Sequence, residues 1–466
     1  MSGLVIRDAE VAAVRMDLRV EHGIIAALGR ALEPRPGDLV LEARGGALLP
    51  GLHDHHLHLL SWAAALGSLS CGPPALQSER SLAEILVAAA ARAQGWLRGV
   101  GYHESVAGPL DRDRLDAWVS KLPFRVQHRS GALWILNSAA CRALGLDAGV
   151  DAPGVERDAS GRATGRLFRL DAWLRERLGA EPLPDLTPVG AALARFGATG
   201  VTDATPALGP AAALALAGAA GSAVLPQQLV LLGVAAPVAG ALVGPLKLVL
   251  DERALPPLPE LVGRMRRAHA SRGVAVHCVT RAELVLALAA FEEAGARPGD
   301  RIEHASVAPS ELVAWIARLG LTVVTQPGFV RSRGDTYLRD VEPADRAWLY
   351  RCAGFTAASV ALGAGTDAPF GEPDPWLAMQ AAVDRRTAAG ATLGSAEALS
   401  PERALALFTT PAEAPGGAPR RVAVGAPADL CLLDRPWVRA RDALASAAVA
   451  ATLRAGRPIY TREPLS

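Results

Sequence analysis

The chain has 466 residues, of which half are hydrophobic and a fifth are charged, so it can bury a large core and is neither disordered nor fibrous. Its 48 Lys and Arg balance 47 Asp and Glu, which gives a formal net charge of +1. No basic excess indicates a nucleic acid as a partner, and no acidic tail is present.

Both ends of the chain are predicted to be rich in β-strands. The first 50 residues alternate polar and apolar positions between Gly-containing turns, and residues 420–463 show a similar pattern. Because two β-rich ends enclose a long middle, we expect residues 1–50 and 415–466 to pair into one small β-sandwich domain.

The middle of the chain, 51–414, alternates strand-like runs with Ala-rich helical stretches, a pattern typical of a parallel α/β fold. The strand candidates are residues 48–58, 124–129, 200–204, 225–232, 246–250, 274–278, 301–305, 321–325 and 359–366. A (β/α)8 TIM barrel needs eight strands, one fewer than this set. The stretch at about 66–186 has its own predicted helices, at 81–94 and 112–119, and is too long for one crossover. We therefore predict a barrel with an α/β insertion near its mouth that contains strand 124–129.

The motif LLPGLHDHHLHLL at residues 48–60 is the first candidate site. Residues i and i+2 of a strand point to one side, so His56 and His58 project together, as two imidazole ligands of a metal must. Asp54 shares that face and could orient a ligand, whereas His53 and His55 point the other way. Four of the ten histidines fall within six residues, which packing alone does not explain. The motif predicts a metal site.

A Lys interrupts the next apolar strand of interest, because GPLKLVLDE places Lys247 within it. A Lys buried there without a partner is costly. Two arrangements would remove that cost. One is a salt bridge, and the other is carbamylation, which converts the amine into a carboxylate-like bridge between two cations. The residues by themselves favour the salt bridge.

Three further polar residues end strand-like runs: His277 in VAVHCV, His304 in RIEHAS and Asp367 in VALGAGTDAPF. Functional side chains of parallel barrels lie at the C-terminal strand ends. Each residue alone is compatible with a structural role, but beside His56 and His58 we interpret all three as metal ligands. Asp367 could also accept the proton of bound water and deliver it to a leaving group. Imidazoles and carboxylates suit zinc, and also iron, manganese or cobalt.

The remaining signals concern the compartment. The five cysteines are scattered without a CxxC pair, which argues against a disulfide framework or a cysteine zinc site and favours the cytoplasm. Charges of both signs interrupt the N-terminal stretch, so it predicts neither a secretory signal nor a membrane helix. Residues 204–246 carry no charge, but prolines interrupt them, and we expect a buried helix and strand there.

Taken together, these motifs resemble the metal-dependent amidohydrolase superfamily over nearly the whole chain. The branch they are most similar to includes N-substituted formamide deformylases and D-aminoacylases. The similar segments are PGLHDHHLH, KLVLD, HCVTRAE, RIEHASVAPSEL, GTDAPF and GAPADLCLLD. The resemblance implies that Lys247 is a bridging carbamylated lysine. The metal ligands that it implies are His56, His58, Lys247, His277, His304 and Asp367.

The chain departs from that branch at three positions. Ala132, Arg169 and Glu252 stand where the branch often has His, Glu and Gly. The changes leave a basic set made of Arg125, His128, Arg129, Arg166, Arg169, Arg331 and Arg333. This set is either a solvated surface or a site for an anionic substrate, whose carboxylate an Arg would bind bidentately. The predicted substrate-binding residues are His128, Arg129, Arg169, Gln326 and Arg331.

The function predicted from these observations is a metal-dependent hydrolase that cleaves a C–N bond of an amide, formamide or cyclic amide other than a peptide. Metal-activated water would attack the carbonyl carbon, with Asp367, His304 and His277 as the catalytic residues. We expect one or two divalent ions, zinc first, a small-molecule substrate that can carry a carboxylate, no membrane partner and, by family analogy, a homodimer. The alternative is a deaminase or another hydrolase at the same site. Intact ligands argue against a non-enzymatic scaffold.

Overall fold

The computed structural model describes residues 3–73, 75–150, 152–179 and 183–464. These residues form two compact units, one made of the chain up to Leu59 together with Leu186 onward, the other of Leu60–Asp185. Some residues of the predicted β-domain (1–2 and 465–466) and of the predicted insertion (Pro74, Asp151 and 180–182) lie outside the described residues. The fold is mixed α/β.

The N-terminal part of the first unit is a small sheet. Its strands are β1 (Leu4–Val11), β2 (Val14–Glu21), β3 (Ile24–Gly29) and β4 (Leu39–Glu42), in the order β3-β2-β1-β4. Two further strands follow, β5 (Leu48–Pro50) and β6 (Leu52–Leu57). The predicted single strand 48–58 is therefore wrong. At Gly51 the chain changes sheets, because Gly51 N donates to Asp429 O while Leu52 N donates to Gly197 O.

The second unit has a six-stranded sheet. Helix α1 (Leu59–Leu66) leads from the first unit. The strands of this sheet are β7 (Leu69–Ser70), β8 (Leu97–Tyr102), β9 (Phe124–His128), β10 (Leu133–Leu136), β11 (Val155–Arg157) and β12 (Ala163–Phe168). Its helices are α2 (Glu79–Ala90), α3 (Glu104–Ala107), α4 (Arg112–Asp116), α5 (Ser138–Ala143) and α6 (Asp171–Leu178). The order is β11-β12-β10-β9-β8-β7, and the predicted strand 124–129 is β9. Alternate residues of β10 enter two apolar clusters, Leu133 and Ile135 in one, Trp134 and Leu136 in the other.

Two parallel sheets form the central part of the first unit. The first contains β6 with β13 (Ala198–Asp203), β14 (Gln228–Leu231) and β15 (Leu242–Val243). The second contains β16 (Leu246–Val249), β17 (Val274–Cys278), β18 (Arg301–His304), β19 (Thr322–Thr325) and β20 (Leu362–Ala364), paired in chain order. Their near-continuous apolar sequences suit strands that are covered on both faces. The predicted strands of this region lie within three residues of the observed bounds.

Helices alternate with these parallel strands. They are α7 (Thr187–Arg195), α8 (Pro210–Ala219), α9 (Leu258–Ala268), α10 (Arg281–Ala294), α11 (Ser310–Leu319), α12 (Gly328–Asp340), α13 (Pro343–Arg346), α14 (Ala353–Ala357), α15 (Pro375–Asp384) and α16 (Pro401–Thr409). A capping box starts α10, in which Thr280 and Glu283 satisfy each other's backbone N–H groups. Among the described residues, no helix combines the length and the apolar character needed to cross a lipid bilayer.

Backbone hydrogen bonds connect the two parallel sheets at two places. On one side Lys247 N donates to Leu232 O at 3.2 Å. On the other side Asp367 N donates to His56 O at 2.8 Å, and Gly365 lies against the backbone of His56. A Cβ at Gly365 would lie 2.5 Å from His56 N, so this close approach of the two backbone segments requires glycine.

The C-terminal strands return to the N-terminal part of the chain. After α17 (Trp437–Ala440), strands β22 (Val449–Arg454) and β23 (Arg457–Thr461) join β21 (Leu430–Leu433) in a sheet of order β23-β22-β21-β5. This sheet shares one apolar cluster with the N-terminal sheet, to which Leu4, Ile6, Leu18, Leu430 and Leu453 contribute. Both chain ends therefore pack into a common core.

Candidate metal centre

The predicted His and Asp metal ligands lie at the C-terminal ends of the parallel strands, whereas Lys247 is the second residue of β16. His56 is on β6, and His58 follows it directly. His277 is on β17, His304 ends β18, and Asp367 follows β20. Because neighbouring parallel strands end at the same edge of a sheet, side chains from distant parts of the sequence meet there.

Three of these residues converge on one point. The Oδ1 atom of Asp367 lies 3.2 Å from Nε2 of His58 and 3.7 Å from Nε2 of His56. One ligand atom from each residue lies within 4.8 Å of the others. The His304 ring is next to this group, with its centroid 4.7 Å from that of His56 and 4.4 Å from that of His277. The structure thus brings the four predicted histidines and the aspartate together, with each side chain next to at least one of the others.

The imidazoles are oriented through their Nδ1 atoms. His58 Nδ1 contacts Thr205 Oγ1 at 3.0 Å, and His304 Nδ1 contacts Gln326 Oε1 at 2.6 Å. His56 Nδ1 makes a short hydrogen bond to Oε2 of Glu303. When Nδ1 carries the proton and donates it to such an oxygen, Nε2 keeps a lone pair for a metal.

Burial favours the neutral forms of His56 and His304. It lowers the pKa of both His56 and His304 well below the usual value, and the nearby charge of Lys247 acts in the same direction. A neutral imidazole is the form that binds a metal. The electrostatics and the hydrogen bonds therefore favour the same protonation state.

Asp54 holds the backbone around the site. Its carboxylate accepts hydrogen bonds from His56 N at 3.0 Å and from Thr366 Oγ1 at 2.6 Å. Burial raises the pKa of Asp54 to about 7, although these hydrogen bonds lower it. Asp54 thereby connects the two segments that carry His56 and Asp367, instead of orienting an imidazole. Asp367 and His304 both have left-handed backbone conformations, with φ of 56° and 70°. Such conformations are sparsely populated by residues other than glycine and cluster at functional sites.

Two buried polar atoms of this region make no hydrogen bond within the described part of the chain. They are Oδ1 of Asp367 and Nζ of Lys247. An unpaired polar atom in a protein interior is unfavourable unless a further group satisfies it. Imidazoles around a carboxylate oxygen that accepts no hydrogen bond are the donor set that a divalent cation such as zinc prefers. The residues present fit a metal.

Glu303 is a site residue that the sequence analysis missed. It is fully buried on β18, where its Oε1 accepts from Arg301 Nε and its Oε2 faces His56 Nδ1. Burial by itself would raise the pKa of Glu303, but the charges of Arg301 and Lys247 lower it below the usual value. The sequence feature that could have predicted Glu303 is RIEH, in which opposite charges occupy positions i and i+2 of a buried strand.

His53 and His55 face away from the predicted metal ligands. His53 Nε2 contacts Thr202 Oγ1 at 2.9 Å, and His55 Nε2 contacts Thr410 Oγ1 at 2.8 Å. Their rings lie 4.5 Å apart, and burial lowers the pKa of both. The alternation of side chains along the strand thus separates the HDHHLH motif into two sets.

The predicted substrate-binding residues are distributed over both units. Gln326 contacts the ring of His304 through its Oε1 atom. Arg331 forms an ion pair with Glu372 at 3.2 Å. The other three residues, His128, Arg129 and Arg169, belong to the Leu60–Asp185 unit.

One member of the basic set is not part of a solvated surface. Arg125 is buried, and its guanidinium lies over the rings of Trp96 and Trp134. Cation–π contacts of this kind stabilise an Arg inside a fold. The remaining members of the set keep the anionic-substrate hypothesis open as a prediction.

Comparisons with known proteins place this geometry in context. The sequence profile of the amidohydrolase family matches residues 39–460. The chain is 26% identical to the N-substituted formamide deformylase of Arthrobacter pascens, over 89% of each protein. It superimposes on the crystal structure of an uncharacterized metal-dependent hydrolase from Pyrococcus horikoshii with a TM-score of 0.71, at 19% identity over 93% of this chain and 98% of that one. A counterpart from Pyrococcus furiosus gives a TM-score of 0.67, at 20% identity over 93% and 99%.

Proposed function

The chain belongs to the amidohydrolase family and is a hydrolase that acts on C–N bonds, and from that premise we propose that it cleaves a small N-substituted formamide or related amide with the help of a divalent metal. The observation that carries this proposal is the convergence of His56 Nε2, His58 Nε2 and the unpaired Asp367 Oδ1 within 4.8 Å. The name of the curated relative supports the substrate class.

The finer architecture that we propose is a (β/α)8 barrel with a terminal β-sandwich. Strands β6, β13, β14 and β16–β20 would form the barrel, and the backbone contacts Lys247 N–Leu232 O and Asp367 N–His56 O would connect the two parallel sheets at their edges. The apolar cluster shared by the two terminal sheets supports the sandwich. In this arrangement the His and Asp ligands project from the C-terminal ends of barrel strands, where functional residues of such barrels lie.

The residues that would hold the metal are His56, His58, His277, His304 and Asp367, with zinc as the first candidate because imidazole and carboxylate suit it. When bound, the cation would act as a Lewis acid toward the substrate carbonyl and lower the pKa of water. The same ligand types also suit iron, manganese and cobalt.

Lys247 would complete a binuclear site as a carbamate. Its side chain is buried, and Nζ makes no hydrogen bond to the described residues, which leaves the amine open to addition. Addition of the amine to carbon dioxide forms an N–C bond, releases one proton and produces a carboxylate-like group. That group would be satisfied by two cations, which removes the unfavourable burial of an unpaired amine.

The chain's own residues would move the proton. The Asp367 carboxylate would accept a proton from the attacking water as the water oxygen bonds to the carbonyl carbon. The carboxyl would then protonate the nitrogen as the C–N bond breaks, releasing formate or another carboxylate and an amine. Thr205 and Gln326 would hold the rings of His58 and His304 during this sequence, through the contacts to Nδ1. A rigid set of ligands keeps the reacting atoms in position.

Asp367→Asn tests this role directly. The substitution preserves the shape of the side chain and removes its ability to take a proton, so we expect turnover to fall about 100-fold or more while metal is retained. The matched control is Asp442→Asn, because Asp442 is exposed and distant in the sequence. Formate or carboxylate release from N-substituted formamides and acyl amines is measured alongside ammonia release. Activity at the control level would overturn the proton-transfer role, and ammonia without a carboxylate would favour the deaminase.

A further inference from the structure

His58 lies just beyond the end of strand β6. The strand ends at Leu57 and α1 begins at Leu59, so His58 occupies the junction between the two elements. Its side chain is 13% exposed, against 1% for His56, so packing constrains it less than the other predicted ligand of the motif. Hydrogen bonds are therefore needed to fix the direction of its ring, and the contact of its Nδ1 with Thr205 Oγ1 is one of them.

Asp203, the last residue of the neighbouring strand β13, contacts the chain at two places around this junction. Asp203 is buried, and its Oδ2 accepts a hydrogen bond from Leu59 N at 2.8 Å. Its Oδ1 accepts a second one from Thr205 N at 2.9 Å. Leu59 follows His58 directly, and Thr205 is the residue that contacts the His58 ring. One carboxylate thus holds both the backbone next to His58 and the residue behind its Nδ1.

A carboxylate suits this position for two physical reasons. Leu59 N is the first N–H group of α1, so its acceptor has to come from outside the helix, and negative charge is favourable at a helix N-terminus. The two N–H groups are also accepted by separate oxygens, which a carboxylate has and an amide lacks. In Asp203→Asn, either Leu59 N or Thr205 N would face the NH2 group of the amide, so that two donors meet.

We propose that Asp203 is a positioning residue that keeps His58 in the orientation needed at the metal centre, and this inference rests on the metal-dependent function proposed above. Asp203 acts through the backbone N–H groups of Leu59 and Thr205. The atom that it positions, His58 Nε2, lies 3.2 Å from Asp367 Oδ1. Metal–ligand distances in proteins vary by only about 0.2 Å, so a small rotation of this ring weakens coordination.

Two substitutions test Asp203 without removing a predicted ligand. Asp203→Asn keeps the shape of the side chain but can accept only one of the two N–H groups. Asp203→Ser keeps an oxygen for the N–H group two residues further on and loses the bond to Leu59 N. Asp300→Asn is the matched control, because Asp300 is also buried and its two oxygens accept from Val274 N at 2.7 Å and from Arg297 N at 2.8 Å. Asp300 directly precedes β18 and therefore lies at the opposite end of the parallel strands from the predicted His and Asp ligands.

Each protein is freed of metal by chelation and titrated with CoCl2, because the visible absorption of bound Co²⁺ depends on the geometry of its ligands. We expect the wild type and Asp300→Asn to bind Co²⁺ with the same affinity and spectrum. Both Asp203 variants should bind it about 10- to 100-fold more weakly, with a changed spectrum.

A melting curve of the metal-free proteins identifies a variant that has not folded, and the other Asp203 variant then decides. Wild-type affinity and spectrum in a folded Asp203 variant would overturn the proposal, and so would an equal loss in Asp300→Asn. Failure of both Asp203 variants to fold would assign Asp203 to the fold alone and overturn it as well. If the wild type takes up no Co²⁺, the metal centre itself is refuted, and the positioning role with it.

Discussion

Replacing Glu303 by Gln should separate the stability of the fold from the affinity of the metal centre. Glu303 is the shared acceptor of Arg301 Nε and His56 Nδ1, and all three side chains are buried. An amide has one acceptor oxygen and one NH2 donor. If its oxygen faces Arg301, its NH2 group faces His56 Nδ1, which must then accept, and the proton moves to Nε2. If the amide is turned around, its NH2 group faces the guanidinium of Arg301, so that two donors meet. The Gln variant cannot satisfy both neighbours.

The structure sets the size of both effects. Removing one partner of a buried ion pair leaves an uncompensated charge, here on Arg301, and lowers the free energy of unfolding by about 3–5 kcal/mol. Loss of the group that orients a metal-binding His weakens metal binding about 10- to 100-fold. That factor corresponds to about 1.4–2.7 kcal/mol of binding free energy.

Glu397→Gln is the matched control, because Glu397 is a second buried carboxylate in the same unit. It accepts from Arg351 Nε at 2.7 Å and from the backbone of Cys352 and Gly354, without contact to a predicted metal ligand. Urea unfolding of the metal-free proteins should show a loss of stability in both variants. Zinc titration should show weaker binding only in Glu303→Gln. Wild-type zinc affinity in Glu303→Gln would refute the reasoning, and so would an equal loss of affinity in Glu397→Gln.

The remaining predictions concern packing, the metal and the substrate. Gly365→Ala should lower the free energy of unfolding by about 1–3 kcal/mol, because the added Cβ would lie 2.5 Å from His56 N. The control is Gly218→Ala on α8, where a Cβ meets open space and should not destabilise the fold. Urea unfolding compares the two variants. Chelation should lower the melting temperature and added zinc should restore it, since a ligand at 100 times its Kd stabilises the native state by about 2.7 kcal/mol. A melting temperature that calorimetry finds unchanged after chelation would contradict a metal bound to the folded protein. Arg129→Gln and Arg169→Gln should raise KM more for an amide that carries a carboxylate than for a neutral one, and equal shifts in steady-state kinetics would sink the anionic-substrate hypothesis.

Much of the molecule could be predicted from local patterns. The alternation of apolar strands and Ala-rich helices indicated the parallel α/β region, because each element must cover a face of fixed periodicity. The two-residue repeat of a strand separated His56 and His58 from His53 and His55. The ends of apolar runs made His304 a candidate, since functional residues of parallel sheets collect there. All of these signals depend on neighbours within about ten residues in the sequence.

The tertiary structure decided the contacts between distant strands. The Nδ1 partner of His56 is Glu303, which is 247 positions away in the sequence and lies on β18, in the other parallel sheet. The change of sheet at Gly51 follows from hydrogen bonds to Asp429 and Gly197, which no local pattern encodes. Local periodicity determines which face a side chain occupies, whereas strand order and register determine what it meets. The candidate ligands could therefore be predicted from the sequence, but their hydrogen-bond partners could not.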